Sequence, residues 1–67
     1  MTDKYAAALA KYGREKCLEA YRYSRQGEGP STIGVYLNLT TRQADAAINA
    51  GRMIALTDDQ AYALVTR

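Results

Sequence analysis

The sequence predicts an all-α domain, a small bundle of about four to five helices that contains a helix-turn-helix. Three observations predict it. Apolar residues recur at helical spacing, as in Tyr5, Ala8, Leu9 and Tyr12 and again in Ala44, Ala47, Ile48 and Gly51. Gly13, the Gly27-Glu28-Gly29-Pro30 stretch and Asn38 divide the chain into segments of helix length. Finally, residues 30–51 carry the start, turn and stop signals of two short helices placed close together.

Along the chain, Thr2 or Asp3 can cap a first helix whose apolar stripe is Tyr5, Ala8, Leu9 and Tyr12. Gly13 interrupts it, and a second helical pattern runs from Arg14 to Gln26 with Cys17, Leu18, Ala20 and Tyr21 inward. Two helices are favoured over one long helix. The alanine-rich, tyrosine-bearing face of this part, residues 1–26, suits either added core or an interface with a second copy. Gly27 to Gly34 is not a phosphate cradle: its glycines do not follow G-x-G-x-x-G, no lysine follows, and no strand precedes. It is a joint between helices, with Pro30 set for the first helical turn.

In residues 30–51, Ile33 and Leu37 face inward one turn apart, and Gly34 lets the next helix cross closely. Asn38 suits a turn position of positive φ, and Leu39 plugs the corner. Thr40 is the N-cap of the next helix and Gly51 its stop, which makes that helix about ten residues long. Ala44, Ala47, Ile48 and Gly51 form its apolar face. Thr41, Arg42, Asp45 and Asn49 form the polar one, with Arg52 just beyond the helix end, and these side chains have the reach to touch base edges or phosphates. Any surface helix has a polar face, so polarity alone does not imply a ligand. The small-residue crossing, the turn asparagine and the capped second helix together favour DNA. The expected contact set is Ser31, Thr40, Thr41, Arg42, Gln43, Asp45, Asn49 and Arg52.

In residues 52–67, Met53-Ile54-Ala55-Leu56 is short and apolar. The following Thr57-Asp58-Asp59-Gln60 has a capping-box pattern, with Leu56 and Ala61 at the positions of a hydrophobic staple, so a final short helix is expected. The alternative is a hairpin that pairs 53–56 with 62–65 through a turn at Asp58-Asp59.

From residue 33 to residue 57 the chain resembles the Cro repressors of lambdoid phages, most clearly in Ala47-Ile48-Asn49-Ala50-Gly51-Arg52-Met53-Ile54-Ala55-Leu56-Thr57. The resemblance implies a second helix in the major groove, with Thr41, Arg42, Asp45, Ala46, Asn49 and Arg52 at positions that face bases or backbone. It also implies a strand after Gly51, which is the source of the hairpin alternative. Asp45 stands where a neutral amide is usual, Ala46 lacks a long basic side chain, and Ala44 thins the apolar contact. The family's base preferences therefore do not transfer.

Composition narrows the remaining classes. At 67 residues the chain is one domain, small enough for self-association to be the natural staple. A single Cys17 and no histidine leave no disulfide and no usual zinc or haem spacing, and Cys17 fits packing better than reactivity. No convergent carboxylates or activated nucleophile suggest an enzyme, and no cofactor or small-molecule substrate is expected. There is no long apolar run and no signal peptide, so a cytoplasmic protein is expected, with no membrane partner. The net charge of +2 is weak support for nucleic acid. Lys4, Lys11, Arg14, Lys16, Arg22 and Arg25 make the first half the basic one, serving either phosphate contacts or a solvated, salt-bridged face. The expected function is a homodimeric DNA-binding transcriptional regulator, a repressor on a palindromic operator. The competing expectation is an inhibitor of phage or plasmid type that uses the same frame to grip a protein.

Overall fold

The computed structural model describes the backbone of residues 3–65 and the side chains of residues 6–65. It consists of five helices: α1 (Asp3–Tyr12), α2 (Arg14–Arg25), α3 (Pro30–Leu37), α4 (Thr41–Thr57) and α5 (Asp59–Val65). Among the described residues there is no strand, so the hairpin alternative does not form and the all-α expectation holds. The expected cap at Thr2 or Asp3 and the inward face of Tyr5 rest on side chains outside the described ones.

The element boundaries follow from local chemistry. Gly13, at φ 88°, separates α1 from α2, as the two-helix expectation required. The end of α2 is closed by two hydrogen bonds, from Glu28 N to Tyr23 O at 3.1 Å and from Gly27 N to Ser24 O at 3.1 Å. That is the Schellman pattern, so the joint is a defined stop. Pro30 then enters the first turn of α3.

The turn between α3 and α4 is three residues long. Asn38 sits in the left-handed region (φ 59°, ψ 47°), and Leu39 N donates to Gly34 O at 2.7 Å. Asn38→Ala should cost about 1 kcal/mol, because only glycine and asparagine enter this region cheaply, while Asn38→Gly should be close to neutral. Urea midpoints of the two variants check this.

One boundary differs from expectation. Gly51 does not stop a ten-residue helix; α4 continues for 17 residues to Thr57, and Arg52 is interior to it. The reason is the apolar period: Ala44, Ala47, Ala50, Gly51, Ile54 and Ala55 are all buried on one continuing face. Gly51 is the point where α4 lies against α2. A Cβ placed there would stand 2.0 Å from the Cys17 carbonyl oxygen and 2.9 Å from Tyr21 Cβ. Gly34 is also corrected in detail, since the space it leaves is taken by the turn, with the Leu39 carbonyl oxygen 2.5 Å from the position of a Cβ.

The start of α5 is also displaced by one residue from the expected capping box. Asp58, not Thr57, is the cap: its Oδ1 accepts from Gln60 N at 3.0 Å and Ala61 N at 3.4 Å. Thr57 donates back to Met53 O and Ile54 O inside α4. Leu56 is exposed, so the expected staple to Ala61 is absent.

α4 is the central element, packing on each of the other four helices and most extensively on α2. The core around it is built from small residues. Of its buried hydrophobics, Ala8, Ala20, Ala44, Ala47, Ala50, Ala55 and Ala61 are alanines, and only Ile33 and Cys17 are large side chains with essentially no exposure. The Cys17 Sγ lies 3.9 Å from Ala8 O, and burial pushes its thiol pKa up, as suits a packing residue.

Candidate nucleic-acid interface

The turn places the N-terminal half of α4 at the surface. Thr40 Oγ1 accepts from Gln43 N at 3.1 Å, and Thr40 N donates to Gln43 Oε1 at 2.9 Å. This reciprocal capping box fixes where α4 begins. It also engages Oε1 of Gln43, one of the residues expected to contact DNA, and leaves its amide N–H donors as the part of that side chain able to reach a ligand.

From this start, helical spacing aligns Arg42, Asp45, Asn49 and Arg52 in one stripe, about 15 Å from end to end at 1.5 Å per residue. Arg42, Asp45 and Arg52 are exposed, Asn49 and Ala46 are half-buried, and Thr41 is exposed at the first turn. The stripe begins at the positive end of the helix dipole, which favours anions beside Arg42. Asp45 opposes that field one turn later. Arg52 Nη2 donates to Asn49 Oδ1 at 3.2 Å. This bond takes one lone pair of the Asn49 oxygen and fixes the direction in which its amide could make the bidentate contact that reads adenine. Ser31 is exposed on the first turn of α3, off this stripe.

The basic first half does not form a free strip of cations. Arg14 is ion-paired with Asp58 across the bundle. The Arg25 guanidinium lies 5.8 Å from the Tyr21 ring and 5.7 Å from that of Tyr62, and Lys11 stands 5.7 Å over Tyr12. Arg22 lines a cleft with Glu15 and Glu19. Arg14, Arg25 and Lys11 are thus engaged within the bundle, which favours the solvated, salt-bridged alternative over phosphate contacts for these three, while Arg22 makes no ion pair among the described residues. Lys4 lies outside the described side chains.

Asp58 carries a pH dependence. The amides of Ala61 and Gln60, and then Arg14, hold its carboxyl below the usual aspartate range. A depressed folded pKa gives stability that is present above about pH 4, the ordinary value, and is lost as pH falls through the lower folded one. Asp58→Asn keeps a capping side chain and removes this titration. Its urea midpoint should therefore fall less steeply between pH 5 and pH 2 than that of the parent.

Val35 and Tyr36 were not anticipated from the sequence. They are 81% and 53% exposed on the outer side of α3, where Tyr36 packs on Tyr23 with ring centroids 5.0 Å apart. The signal for them was their place off the Ile33/Leu37 face.

Among the described residues no group of three or more His, Cys, Asp or Glu could hold a metal ion, and no helix is long and apolar enough to cross a membrane. Comparison with protein-family models, curated proteins and solved structures finds no significant match.

Proposed function

We propose that this chain is a sequence-specific regulator of transcription that binds duplex DNA as a homodimer, with the N-terminal half of α4 in the major groove. The observation that carries the proposal is the outward stripe of exposed Arg42, Asp45 and Arg52 with half-buried Asn49, which follows directly on a three-residue turn and a capped helix start. In a helix-turn-helix the second helix reads bases with its first turns while the preceding helix crosses the backbone. The length of α4 suits this division: its first turns bury Ala44 and Ala47 while turning Arg42 and Asp45 outward, and its second half lies against α2 at Gly51. The Cro-like stretch of residues 33–57 adds repression at a palindromic operator, in the cytoplasm, with half-sites about one helical turn apart.

Selection of bound sequences from random duplex DNA, followed by salt titration of the winner, tests this. A palindrome whose affinity falls steeply with salt is the expected result. Within that complex, Arg42→Ala should weaken specific binding by about 1–3 kcal/mol and relax one base position, whereas Arg52→Ala should weaken all sequences alike. Asp45→Asn should tighten non-specific binding by removing a negative charge near phosphate.

A second reading, an inhibitor that grips another protein through this face, is favoured by Asp45 within the stripe and by the internal engagement of Arg14 and Arg25. No enrichment from random DNA, together with no effect of Asp45→Asn on DNA affinity, would decide for it.

A further inference from the structure

The exposed surface away from α3, the turn and α4 holds a cleft of about 510 Å³ between α2 and α5, lined by Glu15, Leu18, Glu19, Arg22, Leu64 and Val65. Its floor is apolar, through Leu18 and Val65, which are buried, and Leu64, which is 52% exposed at its edge. Its rim is charged. Among the described residues Glu15, Glu19 and Arg22 make no ion pair with one another or with another side chain, and the one such pair among those residues is Arg14 with Asp58.

Resting on the homodimeric reading above, we infer that this cleft is the dimer interface and that its occupant is the same surface of a second copy. The charges are self-complementary under a two-fold axis. Glu15 and Arg22 are seven residues apart on α2, about 10 Å along the helix. An antiparallel copy of α2, with the axis beside Leu18, brings Arg22 of each copy opposite Glu15 of the other, with Glu19 within the reach of the same guanidinium. A two-fold contact must pair residue i with j and j with i, and this pattern does so without a second surface. The apolar half fits in the same way, since Leu64 of one copy enters the cleft of the other. The small-residue core leaves a reason for association: the chain buries few large side chains yet exposes Leu64, and burying apolar surface between copies supplies stabilisation that alanines do not. None of the lining residues belongs to the α4 stripe, so both stripes stay free in the dimer.

The test is analytical ultracentrifugation of the full chain without DNA, using two charge-reversed variants. Arg22→Glu makes the rim wholly acidic, and Glu15→Arg/Glu19→Arg makes it wholly basic. Each alone is expected to be monomeric, with a dimer dissociation constant raised at least tenfold over the parent. Mixed in equal amounts they should form a heterodimer, because both arms of the two-fold contact are again complementary. Circular dichroism of each variant shows whether it is folded, and recovery of the heterodimer excludes misfolding as the cause of dissociation. A parent that stays monomeric, variants that dimerise as well as the parent, or a mixture that does not associate would each overturn the interface. Failure of the DNA reading is separate: dimers that assemble as described but enrich no DNA sequence leave the interface standing, and a DNA-binding chain whose association ignores these charges leaves the function standing.

Discussion

Gly51→Ala should lower the stability of the domain by about 3 kcal/mol or more, enough to leave it largely unfolded near body temperature. Two effects oppose each other here. In the middle of a helix, replacing glycine by alanine favours the helical backbone by up to about 1 kcal/mol. Against this, the added Cβ would lie 2.0 Å from the carbonyl oxygen of Cys17 and 2.7 Å from its carbonyl carbon. Both are backbone atoms of α2, which no rotamer change can move. α4 would have to lift from α2, and overpacking of that kind costs about 1–3 kcal/mol, more where nothing flexible can yield. The surroundings offer little relief: the buried face of α4 around Gly51 holds Ala47, Ala50 and Ala55, and alanines have no rotamers with which to repack. In a domain of this size a core rarely supplies more than about 3–5 kcal/mol, so the loss is close to the whole. Thermal unfolding followed by far-ultraviolet circular dichroism measures it. Gly29→Ala is the control, since its Cβ meets open space, and it should cost less than about 1 kcal/mol. An unchanged or raised melting temperature for Gly51→Ala would refute the α2–α4 crossing.

The same residue shows how far the sequence can be read. Local signals with one strong meaning were legible: Pro30 at a first turn, Gly13 as a break, Asn38 at a left-handed turn and Thr40 as a cap all have one cheap conformation, and the structure uses it. Gly51 has two meanings. It can stop a helix or let two backbones touch, and only the continuation of the period through Ile54 and Ala55 distinguishes them. Gln43 was legible in principle, because Thr-x-x-Gln is a capping box, but the same polar side chain also suits a DNA contact. Thr57 and Asp58 competed for one cap. Aspartate won because its carboxylate accepts from two amides, while the threonine hydroxyl found carbonyls within its own helix. What remained hidden was long-range. Arg14 meets Asp58 44 positions away and Arg25 stacks on Tyr62, so the removal of basic side chains from a phosphate-binding strip has no local signature. The outward stripe on α4 was visible as spacing; the hydrogen bond from Arg52 to Asn49, which constrains how that stripe could read a base, was not.

Gly34→Leu and Gly34→Ala should destabilise the domain by similar amounts, about 2–3 kcal/mol each, and this similarity identifies what the glycine is for. If Gly34 served to let α4 approach α3 side by side, alanine would be nearly tolerated and leucine would not, since the cost would grow with side-chain length. The structure gives a different geometry. The first atom of any side chain already stands 2.5 Å from the Leu39 carbonyl oxygen and 3.4 Å from the Thr40 carbonyl carbon, so the penalty is incurred at Cβ. The obstacle is the backbone of the turn itself, folded over α3 and held there by the bond from Leu39 N to Gly34 O. To admit a Cβ the turn must open, and opening it moves Thr40, which carries the capping box, and with it the start of α4. The consequence reaches the candidate interface. At low temperature, where the variant is still mostly folded, its DNA affinity should fall by more than the unfolded fraction explains, because the Arg42 stripe is presented at a changed angle. Asp45→Asn is the counterpart, exposed and without a partner in the core, with melting unchanged and only binding altered. Melting curves and DNA titrations of the three variants check both statements. Alanine tolerated where leucine is not would return Gly34 to a role between helices, and a fully folded Gly34→Ala protein with parental DNA affinity would show that the angle set by this turn does not matter to what α4 binds.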